Sequence, residues 1–167
     1  MTRRRWLIGV AAAFLLPWLA AACGGSSGSG SQASTPSANP NATVSAVSSS
    51  LGTILADKTG RTLYLFEKDS GGTSACAGAC AAGWPPLTVS GTPTAGSGIN
   101  AGMLATVTRA DGKSQVTYNG HPLYTFAGDS RPGDAKGEGA NAFGAHWFAV
   151  SSGGSAIQKK PTGGSGY

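Results

Sequence analysis

The sequence predicts a mainly β protein, a small antiparallel β domain built from two duplicated half-repeats. Three observations carry that expectation. Between residues 44 and 158, short apolar runs rich in Thr, Val, Leu and aromatic residues alternate with glycine-containing turns. No part of that segment keeps an apolar 3.6-residue period for long, as an amphipathic helix would. Finally, "GRTLYLFEKDS" at 60–70 returns as "GHPLYTFAGDS" at 120–130, so Gly-x-x-Leu-Tyr-x-Phe-x-x-Asp-Ser occurs twice.

The elements follow from the N-terminus. Arg3, Arg4 and Arg5 precede an apolar run from Trp6 to Ala22 that contains Pro17 and ends in small residues. That order reads as a secretory signal peptide over 1–22 rather than a permanent span. The segment "LAAAC" resembles a bacterial lipobox, with Leu19 one step further from the cysteine than usual. Cys23 is therefore expected to be acylated, and two acyl chains on one residue give stable membrane anchoring. Residues 24–41 are Gly, Ser, Pro, Ala and small polar residues, so 23–43 reads as a flexible tether, and 159–167 reads as a tail of the same kind.

Charge excludes one class of partner. The chain has a formal charge of +5 from twelve basic and seven acidic residues. Three of the basic residues fall in 1–22, which leaves nine against seven, or +2, and no basic cluster beyond Lys159-Lys160. Nucleic acid is not an expected partner.

Within 44–158, "TILADKTGRTLYLF" reads as strand, turn and strand, with Asp57-Lys58-Thr59-Gly60 as the turn. "MLATVTRADGKSQVTY" repeats the design around Asp111-Gly112, a strong hairpin signal. "HWFAV" is a further short strand, and only the Ala-rich "SACAGACAA" suggests a helical turn, near 75–82. Alternation along a strand puts Tyr64 and Phe66 on one face, and Tyr124 and Phe126 likewise. The opposite face drifts between copies (Leu63 and Leu65 against Leu123 and Thr125), which points to the aromatic face as the packed one. Each copy is followed by a tryptophan, Trp84 and Trp147. The repeats are placed at about 51–90 and 103–151, and two units suit a closed or face-to-face β arrangement better than a solenoid.

These residues carry a resemblance. "LYLFEKDSGGTSACAGACAAGWPPL" and "PLYTFAGDSRPGDAKGEGANAFGAHWFAV" resemble the bacterial secreted-repeat lipoproteins defined by a Tyr-x4-Asp motif, in longer form Tyr-x-aromatic-x-x-Asp. Tyr64, Phe66 and Asp69 match it, as do Tyr124, Phe126 and Asp129. The likeness covers about residues 50–151. It implies an exported envelope protein and no particular reaction.

The chemistry-bearing residues are few. Asp69 and Asp129 each follow a strand and precede Ser and a Gly-rich stretch, as loop-organising aspartates do. The alternative is a carboxylate pair of the kind glycoside hydrolases use. Cys76 and Cys80, in a Cys-x3-Cys spacing, read as a structural disulfide in an exported protein. The alternative is a soft-metal or redox site, with copper held by Cys76, Cys80, His121, His146 or Met103. "DSRPGDAKGEG" reads as a solvated loop and does not match an EF-hand. The folded segment has no Gly-x-Ser-x-Gly elbow, His-Glu-x-x-His helix or phosphate loop. The expectation is a non-enzymatic, cofactor-free binding or structural module, anchored through Cys23 on the outer side of the cytoplasmic membrane or in the outer membrane, with an unknown envelope ligand or protein as its partner.

Overall fold

The structure, a computed structural model, describes residues 41–158; the expected signal peptide, Cys23, most of the expected tether and the expected tail at 159–167 lie outside the described residues. Its strands are β1 (Val44–Ser49), β2 (Gly52–Asp57), β3 (Tyr64–Phe66), β4 (Thr88–Val89), β5 (Leu104–Thr108), β6 (Ser114–Tyr118), β7 (His121–Pro122), β8 (Asn141–Ala142) and β9 (Ala145–Ala149). A five-residue helix, α1 (Ala79–Gly83), and a 3-10 turn (Ala101–Met103) complete the described elements. The strands pair antiparallel in three small sheets: β1-β2, β3-β9-β8, and β4-β6-β5 with β7 also on β6. The mainly antiparallel β class expected from the sequence is the class that forms.

Turn chemistry sets the reversals. At the Asp111-Gly112 hairpin, Gly112 has φ +78° and its N–H donates to the Arg109 carbonyl at 2.9 Å. At the Asp57 turn, the Asp57 carboxylate accepts from the Thr59 N–H at 2.8 Å and the Arg61 N–H at 3.0 Å. Asn119 and Gly120 form a two-residue loop between Tyr118 and His121, with φ +49° and +80°. Both residues tolerate left-handed backbone, which is why Asn-Gly serves such loops. That signal stood in the sequence unread, as did strand β1, whose Ser-rich "VSAVSS" looks weak in isolation.

The two repeats are built alike and exchange their last strands. In repeat 1, Leu63 N–H donates to Leu55 O, Leu55 N–H to Val150 O, and Val150 N–H to Leu63 O, at 2.8–3.0 Å. In repeat 2, Leu123 donates to Val116, Val116 to Leu87, and Leu87 to Leu123, at 2.8–2.9 Å. The third member of each ring comes from the other repeat. Thus β9, which ends repeat 2, pairs with β3, while Pro86 bridges Tyr124 and β4 pairs with β6. Neither hairpin is complete without the other repeat's last strand.

Both faces of the motif strands are buried. Tyr64, Phe66, Tyr124, Trp84, Trp147, Cys76, Cys80, Ile54 and Ala149 form one cluster. Leu63, Leu65, Leu123, Leu55, Val116, Tyr118, Val44 and Val150 form a second. The expectation that only the aromatic face packs is corrected here. The drift at 63–65 against 123–125 keeps burial unchanged: Leu63 and Leu123 are fully buried, and Thr125 is 2% exposed. Helix α1 begins after Cys76, because Gly78 at φ +56° separates the first cysteine from the helical turn.

Candidate functional site

The motif strands meet at their tyrosines. Tyr64 N–H donates to Tyr124 O at 2.8 Å, and Tyr124 N–H returns the bond to Tyr64 O at 3.0 Å. This antiparallel bridge lies where the two copies face each other, and the motif side chains repeat across it. The Tyr64 hydroxyl donates to the Asp129 carboxylate at 2.7 Å, and the Tyr124 hydroxyl donates to Asp69 at 2.7 Å. Each tyrosine therefore reaches the aspartate of the other repeat, not its own.

Each aspartate also fastens its own loop. Its N–H bonds back to the motif phenylalanine carbonyl, Asp69 to Phe66 at 3.0 Å and Asp129 to Phe126 at 3.1 Å. The second carboxylate oxygen accepts a backbone N–H further on, from Ala75 at 2.7 Å and from Lys136 at 3.0 Å. A carboxylate so placed ties a loop to a strand end and to a buried hydroxyl at once. Charge-assisted bonds of this kind are about twice as strong as neutral ones.

The aromatic residues repeat the exchange. Phe66 stacks on Trp147 of the other repeat with ring centroids 4.1 Å apart, and Phe126 lies on Trp84 at 4.3 Å. The two tryptophans stack on each other at 4.0 Å and 6°, so four rings form one column across the joint. Tyr64 and Tyr124 meet Trp84 and Trp147 edge-on, at 5.3 and 5.1 Å. Gly137 makes room for this column: a Cβ there would stand 2.6 Å from the Trp84 ring.

The two pairs differ in their surroundings. Tyr64 and Asp129 are buried, and the Tyr64 hydroxyl also accepts from the Gly137 N–H at 3.3 Å. Tyr124 shares its hydroxyl with Ser74 Oγ at 2.7 Å, and Ser74 in turn accepts from Arg109 Nη1 at 2.6 Å. Arg109 is itself buried and also donates to Gln115 and to the Cys76 carbonyl, each at 2.6 Å. Nothing in the sequence marked Arg109 or Gln115, since surface and interior arginines look alike in a short β-run. Burial pushes both tyrosine hydroxyls well above their usual range, and the facing carboxylates raise them further. Burial also raises the Asp69 carboxyl above its ordinary value, against the lowering effect of the Ala75 N–H, the Tyr124 hydroxyl, and the charges of Arg109 and His121.

Beside Asp69 lies a groove of about 580 Å³, lined by Glu67, Asp69, Asn119, His121 and Gly154–Ala156 over Leu65 and Phe66. Its rim is where the repeats diverge, since Glu67 and His121 stand where the other copy has Ala127 and Arg61.

The other sequence candidates fall as follows. Cys76 and Cys80 form a disulfide with Cα atoms 5.3 Å apart, and both are buried, so they present no thiolates to a soft metal. His146 lies exposed on β9 with Nδ1 3.4 Å from Glu67, His121 closes the Asn119-Gly120 turn, and Met103 ends the 3-10 turn. Among the described residues, no three His, Cys, Asp or Glu side chains gather as a metal-holding group. In the "DSRPGDAKGEG" loop, Asp134 caps Ser130 and Arg131, and Glu138 accepts from the Ala149 N–H at 2.7 Å. The Ser130 N–H and the neighbouring Lys136 ammonium hold the Asp134 carboxyl below its usual range. Cys23 lies outside the described residues.

No helix among the described residues is long and apolar enough to cross a membrane. Comparison with curated proteins and with solved structures gives no match. The model of a family described as a secreted repeat of unknown function matches the chain twice, over residues 45–88 and 105–151. The two matched stretches are the two strand-exchanging halves described above, and the chain belongs to this family of secreted repeats.

Proposed function

We propose that this is a lipid-anchored, non-enzymatic module of the cell envelope, held on its membrane through Cys23 and the 23–43 tether. In this reading the Tyr-x4-Asp motif is the joint of the module and not a reaction centre. One observation carries it: both carboxylates accept a tyrosine hydroxyl and a backbone N–H inside the protein, in the same arrangement twice over. A catalytic pair needs a carboxylate free to meet substrate, whereas both oxygens of each aspartate here are already bonded within the fold.

Ligand contact is assigned to the groove beside Asp69, whose rim residues Glu67 and His121 differ from their counterparts in the other repeat. The motif Tyr, Phe and Asp are retained by both copies while Glu67 and His121 are not, so the divergent rim is free to serve recognition.

Two variants test the anchor and the module separately. Cys23→Ser should move the protein from the membrane to the soluble fraction and remove the acyl mass. Glu67→Ala and His121→Ala, alone or combined, should leave the unfolding midpoint unchanged and reduce retention of the soluble domain on isolated envelopes. Asp69→Asn or Asp129→Asn variants of unchanged stability that lose envelope retention would overturn the structural reading of the motif.

A further inference from the structure

The contacts that join the repeats are reciprocal. Tyr64 bonds Asp129 while Tyr124 bonds Asp69; Phe66 stacks on Trp147 while Phe126 lies on Trp84. Each repeat lends its last strand to the other's hairpin. The covalent link between them is the segment 90–103, "SGTPTAGSGINAGM", rich in Gly, Ser and Thr and mostly half-buried or exposed. It bonds to β1 and the residue before it, with Thr43 N–H on Thr94 O at 2.8 Å and Ala46 N–H on Ser97 O at 2.9 Å, and to the second repeat, with Asn100 N–H on the Tyr118 hydroxyl at 3.2 Å and Asn119 N–H on Met103 O at 2.9 Å. None of the motif contacts requires that the two repeats belong to one chain.

We infer that the repeats also pair between copies, so that repeat 2 of one molecule completes repeat 1 of another and two chains close into a two-fold dimer. Each Tyr–Asp bond and each Phe–Trp stack then forms between chains, with the geometry it has within one. The partner is a second copy because its surface already fits: it presents the same strand, aspartate and tryptophan that the chain's own second repeat supplies. Exchange of identical elements is a low-cost route to dimers, since the lost intramolecular contacts are remade. The linker then decides the balance. It sets an effective concentration in the millimolar range while it can span the two repeats, and that falls to nearly zero when it cannot.

The span follows from the register. Strands β4 and β5 flank β6, with Val89 opposite Ser114 and Leu104 opposite Tyr118. Two strand spacings across and four residues along put those linker ends about 17 Å apart. Deleting Gly91–Ala101 leaves three residues between them, which reach at most about 14 Å when fully extended.

The test uses the full chain and this shortened chain, with mass read by light scattering and native mass spectrometry. The shortened chain should double in mass and keep a single cooperative unfolding transition. A shortened chain that folds as a monomer overturns the inference. The parent chain supplies the second measurement and decides alone if the shortened chain does not fold. Isotopically light and heavy parent chains, unfolded together and refolded at millimolar concentration, should give dimers of intermediate mass that persist on dilution. Refolding that yields monomers alone overturns the inference.

Discussion

The two tyrosine–aspartate pairs have the same bond length and different environments, and the difference shows which parts of the motif the fold needs. The Tyr64–Asp129 pair is buried, with backbone N–H groups as its other partners. In the Tyr124–Asp69 pair the tyrosine is buried and the carboxylate half-buried; the pair extends through Ser74 to the buried Arg109 and borders the groove. The first has no second acceptor for its hydroxyl among its described contacts, whereas the second has Ser74. Damage to one pair should therefore not equal damage to the other.

The largest effect is expected where the halves share one column of rings. Trp147→Ala removes the partner of Phe66, Trp84 and Tyr124 together and should cost about 3–5 kcal/mol, with Trp84→Ala close behind. Denaturant unfolding of the soluble domain measures both.

The aspartates should then separate. Asp129→Asn keeps one acceptor oxygen and turns the other into a donor, so the Lys136 N–H and the buried Tyr64 hydroxyl compete for one atom. A buried polar group left without its partner costs about 1–3 kcal/mol, and the upper half of that range is expected here. In Asp69→Asn the amide can donate to Tyr124 while the tyrosine hydroxyl turns to Ser74, so the loss should be about 1 kcal/mol. Equal losses would remove the distinction between the pairs.

Reduction of Cys76–Cys80 acts on the same side as the second pair. Chain entropy for so short a loop gives a loss of about 2 kcal/mol. The Cys76 carbonyl, and Ser74 two residues before the loop, both accept from Arg109, so reduction should perturb the Tyr124–Asp69 pair and leave Tyr64–Asp129 intact. Tyrosine hydroxyl protection from hydrogen exchange, with and without reductant, distinguishes the two.

The smallest effect is pH dependence. The Asp69 carboxyl is raised by burial, so its contribution to stability is fully present below the ordinary aspartate value and is lost as pH rises through the raised folded value. Asp134 is lowered and runs the other way: its contribution is present above the ordinary value and is lost as pH falls through the folded one. Unfolding from about pH 3 to 7 should show the parent's advantage over Asp69→Asn shrinking as pH rises.

How much of this was legible follows the range of each interaction. The duplication, the Asp111-Gly112 hairpin and the aromatic alternation are local patterns, and a single stretch displays them. The cysteine pair lies four residues apart, and its compartment completed the reading. That Tyr64 meets Asp129 and not Asp69 depends on strand exchange across 65 residues, and nothing local encodes it. The second buried face was missed because drift between copies resembles exposure, while Leu and Thr can both pack. Arg109 was missed because its burial depends on Ser74 and the Cys76 carbonyl, more than thirty residues away.

The reciprocity of the joint can be measured by double-mutant cycles. Tyr64→Phe combined with Asp129→Ala, and Tyr64→Phe combined with Asp69→Ala, give the coupling of one tyrosine to each aspartate. Strand exchange predicts a coupling of at least about 1 kcal/mol between Tyr64 and Asp129, and additivity within about 0.5 kcal/mol for Tyr64 with Asp69. A larger coupling within the repeat than across it would contradict the exchange, and with it the reading of the motif as the joint between two halves.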